Sequence, residues 1–138
     1  LVIMRQNLFQ DSIELKKIVS KAQVLKGRQL LKEVYLDEKI ERYILDLVFA
    51  TRNPGQFKLD KLKDLIGYGA SPRATINLAM AARGMALLRR RGYVVPDDVR
   101  SIAQDVLRHR IAVSYEAEAE EITSEYIIKE ILNRIEVP

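Results

Sequence analysis

The sequence predicts an all-α fold, a small helical bundle with at most short β-like connectors between helices. Three stretches carry that prediction. Ile40, Tyr43, Ile44, Leu47 and Val48 follow the i, i+3, i+4, i+7, i+8 spacing of one helix face, with Glu38, Lys39, Glu41, Arg42 and Asp46 between them. Val99, Ile102, Ala103, Val106 and Leu107 repeat the pattern, and Ile127, Ile128, Ile131, Leu132 and Ile135 repeat it again. Helices that are apolar on one side must cover that side, and three of them do so most economically by packing on one another.

Further helices are read from their boundaries. Ser20 followed by Gln23 is a capping box, in which the two side chains satisfy N–H groups that the first helical turn leaves free. Val19 and Val24 stand where a hydrophobic staple would close around it. This helix is expected to run to about Glu33, with Gly27 its weak point. Residues 52–70, which contain Pro54 and several glycines, read as a loop with a short helix around Leu59–Ile66. A long helix then starts with Ser71 as cap and Pro72 in the first position, and ends at Arg89-Arg90-Arg91, where Gly92 supplies the stop. Its sequence is apolar almost all round, so it is expected to be the central buried element, with its alanines and Gly84 allowing neighbours to come close. Val34-Tyr35-Leu36, Tyr93-Val94-Val95 and Ile122 precede other helix starts and read as β-like connectors. Residues 1–19 are expected to connect from another module and residues 20–138 to form the helical domain. Leu1 opens the chain inside an apolar segment without an initiator methionine, as the start of an excised domain would.

Composition narrows the functional classes. The 138 residues are 48% hydrophobic and 30% charged, a globular balance, and they contain no cysteine, which excludes disulfides and thiolate metal sites. No apolar run approaches the roughly 20 residues that cross a bilayer, and Leu1–Met4 is too short for a secretory core, so no membrane partner and a cytoplasmic setting are expected. The formal charge of +4 is unevenly placed: residues 61–110 carry 10 basic and 4 acidic side chains, residues 111–138 carry 2 and 7. A basic middle suits an anionic partner; a solvated surface with the acidic tail folded against it is the plainer alternative.

Autonomous catalysis is not expected. There is no glycine-rich phosphate loop ending in Lys-Ser/Thr, and His109 is the sole histidine, which leaves His-based metal sites and hydrolytic triads without material. Glu116, Glu118, Glu120 and Glu121 alternate with alanine and lack a calcium-loop glycine, so they read as a solvated connector. The pointed feature is Ser71-Pro72-Arg73. A cation in the first turn of a helix opposes the helix dipole at a cost of roughly a few tenths of a kcal/mol. Such an arginine makes sense where an anion arrives to be shared between guanidinium and backbone amides. An arginine reaching out to solvent or to a tail glutamate is the alternative. The arginines at 89–91 complement the other end of the same dipole; nucleic-acid binding through them is disfavoured because no aromatic residues interleave them.

Gly69-Ala70-Ser71-Pro72-Arg73-Ala74, Tyr93-Val94-Val95-Pro96-Asp97-Asp98-Val99 and Val106-Leu107-Arg108-His109-Arg110 resemble, in order and spacing, the lid domain of the MoxR branch of AAA+ ATPases. Val34-Tyr35-Leu36 with Tyr43-Ile44 and Ala50-Thr51-Arg52 resembles the earlier part of that lid, and Tyr115–Glu120 with Val137-Pro138 its ending. The resemblance implies a lid that closes over ATP bound to an N-terminal α/β ATPase module. Arg73 then corresponds to the sensor-2 arginine near the γ-phosphate, with Ser71, Pro72, Tyr43 and Ile44 as neighbouring nucleotide-binding candidates. It implies Mg2+ and the attacking water on the ATPase module, ring assembly (usually a hexamer), and chaperone-like remodelling, often with von Willebrand factor A-domain proteins. The alternatives are a basic helical module for nucleic acid and a helical protein-interaction domain. Two positions depart from the family pattern: threonine is usual where Val95 stands, so the next helix should start with a weaker cap, and glycine is common where Glu121 stands.

Overall fold

The computed structural model describes residues 16–138. Six α-helices dominate it: α1 (Lys21–Glu33), α2 (Glu38–Ala50), α3 (Arg73–Leu88), α4 (Pro96–Leu107), α5 (Tyr115–Ala119) and α6 (Ser124–Arg134). Two strands, β1 (Ile66–Tyr68) and β2 (Ala112–Val113), pair antiparallel with Ile66 opposite Val113. The predicted all-α class is therefore correct, and the sheet is a clip between two connectors. The expected connector at residues 1–19 falls almost wholly outside the described residues.

The three periodic stripes form the core as read. Ile40, Tyr43, Ile44, Leu47 and Val48 are buried on α2, Val99, Ala103 and Leu107 on α4, and Ile127, Ile128 and Ile131 on α6. α3 packs most extensively on α4 and also touches α2 and α1, so it is the central post. It is not buried all round, however. Ala74, Leu78, Ala82 and Ala86 make one buried stripe at four-residue spacing, while Ile76, Met80 and Leu88 are more than half exposed. Small side chains on that stripe let α4 approach. Gly84 plays no part in this, because a Cβ there would meet only Leu31 at 4.0 Å.

Helix ends show where local chemistry was read correctly and where it was not. The Ser20 capping box exists, with Ser20 Oγ accepting from the Gln23 amide at 3.3 Å and Gln23 Oε1 from the Ser20 amide at 2.8 Å. Val19 and Val24 both stay about half exposed, so the expected staple buries neither, and α1 has no buried residue. In place of the expected short helix at 59–66 there are two 3₁₀ turns, Pro54–Phe57 and Asp60–Leu62, before β1. The end of α3 is also corrected: Arg90, not Gly92, takes the left-handed conformation (φ 58°). The Arg91 amide reaches back to the Ala86 carbonyl and the Arg90 amide to that of Leu87, both at 2.9 Å. That is a Schellman closure with a non-glycine residue in the left-handed place. Tyr35 and Tyr93, on two of the predicted connectors, form a single parallel bridge. The third, at Ile122, forms no strand and follows Glu121, whose φ is 57°.

Candidate functional site

Arg73 is the first residue of α3 and is exposed. Pro72 precedes it in a helical conformation (φ −55°), and no side chain caps the helix. Ser71 therefore does not cap as expected; its carbonyl accepts from the Ala74 amide at 2.8 Å, and its hydroxyl is left to the surface. Among the described residues Arg73 makes no ion pair. The tail glutamates do not engage it. The Thr75 amide is likewise taken by the Pro72 carbonyl at 3.1 Å, so the group left to meet an anion at this positive end of the helix dipole is the unpaired Arg73 guanidinium.

What fixes this helix start is a residue that the sequence marked only as part of the Ala50-Thr51-Arg52 resemblance, with no role given to it. Thr51, at the end of α2, is wholly buried. Its hydroxyl donates to the Val48 carbonyl at 2.6 Å and accepts the Ala70 amide at 2.9 Å. Gly69 passes so near that a Cβ there would collide with the Thr51 carbonyl oxygen. Ala70 and Ala74 are fully buried on either side of the exposed Ser71-Pro72-Arg73 segment. The segment is thus anchored from beneath at both ends. A threonine after an apolar helix is too common a sequence feature to reveal a bond that spans 19 residues.

Ile44 and Tyr43 point in different directions, as neighbours on a helix do. Ile44, itself fully buried, lies beneath a cleft of about 320 Å³ between α2 and α3, with Leu36, Thr75, Ile76, Ala79 and Met80 along its walls and the charged Glu41 and Arg83 also bordering it. That cleft begins one turn beyond Arg73. Tyr43 does not reach it. Its ring is buried, and its hydroxyl lies 3.3 Å from Arg100, whose guanidinium also donates to the Leu132 carbonyl at 2.7 Å. Tyr43 is thus a core residue that ties α2 to α4 and α6; Ser71, Pro72 and Arg73 stay together at the exposed start of α3, and Ile44 lies apart from them beneath the cleft that Thr75 and Ile76 border.

The basic run at 89–91 is largely spoken for. Asp98, fully buried, accepts from Arg91 Nη1 at 2.7 Å and from Arg91 Nη2, from Arg89 Nη1 at 2.8 Å and from the Val95 amide at 3.0 Å. Arg89 also meets Asp97 at 3.0 Å. Burial alone would raise the Asp98 carboxyl; the bonds from Arg91 and Val95 and the charges of Arg91 and Arg89 outweigh it and hold the carboxyl below the ordinary aspartate range. The same bond raises Arg91 further. Val95 has no side-chain acceptor, so α4 starts with the Asp98 half of a capping box only, as expected from the missing threonine. Two of the three arginines are therefore structural, and the nucleic-acid alternative loses its main element. His109 is exposed beyond the end of α4. Among the described residues no three His, Cys, Asp or Glu side chains are grouped to hold a metal ion, and no helix is long and apolar enough to cross a membrane.

Comparison with known proteins agrees with this geometry. Residues 62–131 match the AAA lid domain family. The chain is similar to the chaperone MoxR1 of Mycobacterium tuberculosis (37% identity over 123 residues, 89% of this chain and 33% of that protein). It is also similar to YeaC of Bacillus subtilis (34% over 124 residues, 90% and 36%) and to protein MoxR of Paracoccus denitrificans (41% over 80 residues, 54% and 23%). The chain thus spans about a third of the length of the first two relatives. The fold superposes on the crystal structure of a Cytophaga hutchinsonii protein assigned as an ATPase, with a TM-score of 0.89 and 42% identity, covering 99% of this chain and 42% of the other. The chain belongs to the AAA lid domain family, in the form carried by MoxR-like AAA+ ATPases.

Proposed function

We propose that this domain closes over ATP held by an α/β ATPase module and supplies Arg73 as the sensor-2 residue that approaches the γ-phosphate. The observation that carries the reading is the exposed, unpaired Arg73 at an uncapped helix start, on a segment anchored by Thr51. A guanidinium placed there costs a little while the site is empty and stabilises the phosphoryl charge that develops during transfer, because the anchored helix start fixes where it is presented. The largely apolar cleft above Ile44 suits the base and ribose of the same nucleotide, and Ser71 and Pro72 stand with Arg73 at the helix start that precedes it. Mg2+ finds no cluster of three ligating side chains among the described residues, and we assign the ion to the phosphates on the ATPase module. Nucleotide state is then transmitted to lid position through α3, whose buried stripe makes it a rigid post.

In the whole protein we place this lid in a ring, hexameric by family habit, that works in the cytoplasm as a chaperone-like remodelling machine with von Willebrand factor A-domain partners. The decisive test is Arg73→Ala in the full-length protein. Hydrolysis should fall at least tenfold, about 1.4 kcal/mol of transition-state stabilisation, with unchanged circular dichroism and melting. Turnover at the wild-type rate would remove the sensor assignment. The lid alone should not hydrolyse ATP.

A further inference from the structure

Arg28, Leu31 and Lys32 on α1 and Met80 and Arg83 on α3 enclose a second cleft, of about 490 Å³, separate from the one above Ile44 although Met80 and Arg83 border both. Among the described residues no carboxylate lines it and none of its three cations is ion-paired. The Nε atom of Arg83 is closed off from solvent and has no hydrogen-bond partner among the described residues. A buried guanidinium N–H without an acceptor costs on the order of 1–3 kcal/mol. α1, which forms one wall, buries none of its own residues and leaves Val24, Leu25 and Leu30 exposed. Whatever fills this cleft must bring acceptors of negative charge together with an apolar or aromatic body.

The chain itself carries such a segment at another place. Tyr115, 90% exposed, begins α5, and Glu116, Glu118, Glu120 and Glu121 around it are exposed and unpaired among the described residues. Ser114 holds the segment rigidly: its hydroxyl accepts from the Ala117 amide at 3.2 Å and donates to the Asp64 carbonyl at 2.6 Å, and Ala117 is buried beneath. A short acidic helix with an exposed aromatic ring is thus presented on a fixed base. We propose that α5 of a second copy of this chain docks into the α1–α3 cleft. Tyr115 enters over Leu31 and Met80 between the two guanidiniums, and the glutamates pair with Arg28, Lys32 and Arg83. Aromatic rings and guanidiniums attract in that arrangement, and opposite charges brought together in a partly closed cleft are screened less than on open surface. The two surfaces differ, so the contact is head-to-tail, leaving each copy one free surface for the next. It does not depend on Arg73 or on nucleotide.

Sedimentation velocity on the chain without nucleotide tests this. At about 0.05 M salt the average mass should rise with concentration, and at about 0.5 M, where the screening length is about threefold shorter, it should fall toward the monomer. The paired substitution Arg28→Glu with Lys32→Glu spoils the cleft, and Tyr115→Ala with Glu118→Lys spoils α5. All four side chains are exposed, and circular dichroism checks that both variants fold. Each variant alone should associate at least tenfold more weakly than the wild type. Mixed, they should form a one-to-one complex, because each retains the surface the other has lost. A wild type that stays monomeric at low salt, an α5 variant that still self-associates, or a mixture that remains monomeric would each overturn the proposal. The second outcome would mean that the cleft takes a different acidic partner.

Discussion

Replacing Thr51 with valine keeps the shape of the side chain and removes only its hydroxyl, which makes it a direct probe of what anchors the Arg73 segment. In the native structure that hydroxyl accepts the buried Ala70 amide at 2.9 Å and donates to the Val48 carbonyl at 2.6 Å. Valine leaves the Ala70 N–H without a partner in a place water does not reach, a loss of about 1–3 kcal/mol. The extra methyl brings no compensating burial, because the site is already filled. For a chain of this length each kcal/mol lowers the melting temperature by roughly 3–5 °C. Urea unfolding should show the midpoint falling at constant slope, and hydrogen exchange should show the Ala70 amide losing protection while the middle of α3 keeps it. Thr51→Ser is the control: it preserves both bonds and loses one methyl, at a cost of about 1 kcal/mol. If valine were no more costly than serine, or if Ala70 kept its protection, the anchor would not be the hydroxyl. In the full-length ATPase the same valine should reduce hydrolysis less than Arg73→Ala does, since it loosens the arginine rather than deleting it.

Asp98→Ala removes the shared acceptor of Arg89, Arg91 and the Val95 amide and should destabilise the fold by about 2–3 kcal/mol, measured by urea unfolding, because the two arginines it leaves are partly exposed and can reach water. The same carboxyl sets an acid limit. Its folded value lies below the ordinary 3.8, so its contribution is complete above that value and is lost as pH falls through the depressed one; melting temperature against pH should drop below about pH 4, and the drop should shrink in Asp98→Asn. Gly84→Ala should stabilise by about 1 kcal/mol, because the helix interior gains propensity and the new methyl has room beside Leu31. Arg90→Gly and Glu121→Gly should each stabilise by about 1 kcal/mol by relieving a left-handed conformation at a non-glycine residue, seen as higher melting temperatures.

Those last positions show where sequence stops predicting structure. The bundle was legible because burial imposes a period: the stripes on α2, α4 and α6 could be named residue by residue. The Ser20 box was legible because both partners lie within one turn. At the end of α3 the same local reasoning chose Gly92, the residue with the lowest intrinsic cost of a left-handed turn. The chain turns two residues earlier, with Arg90 in the left-handed conformation, and in that geometry Arg89 and Arg91 both bond Asp98. A buried, doubly paired carboxylate outweighs about 1 kcal/mol of backbone preference. Glu121 keeps a left-handed conformation that a glycine would favour, so the surrounding packing dictates that turn and the residue tolerates it. The Arg73 site divides along the same line. Its exposed end was visible as Ser-Pro-Arg at a helix start, a purely local pattern. Its foundation, Thr51 beneath Gly69 and Ala70, depends on two segments 19 residues apart coming within hydrogen-bond distance, and no periodicity in either segment records that meeting. Tyr43 and Ile44 are adjacent in sequence and both buried, and only the packing of the finished bundle decides that Tyr43 meets Arg100 while Ile44 lies beneath the cleft between α2 and α3.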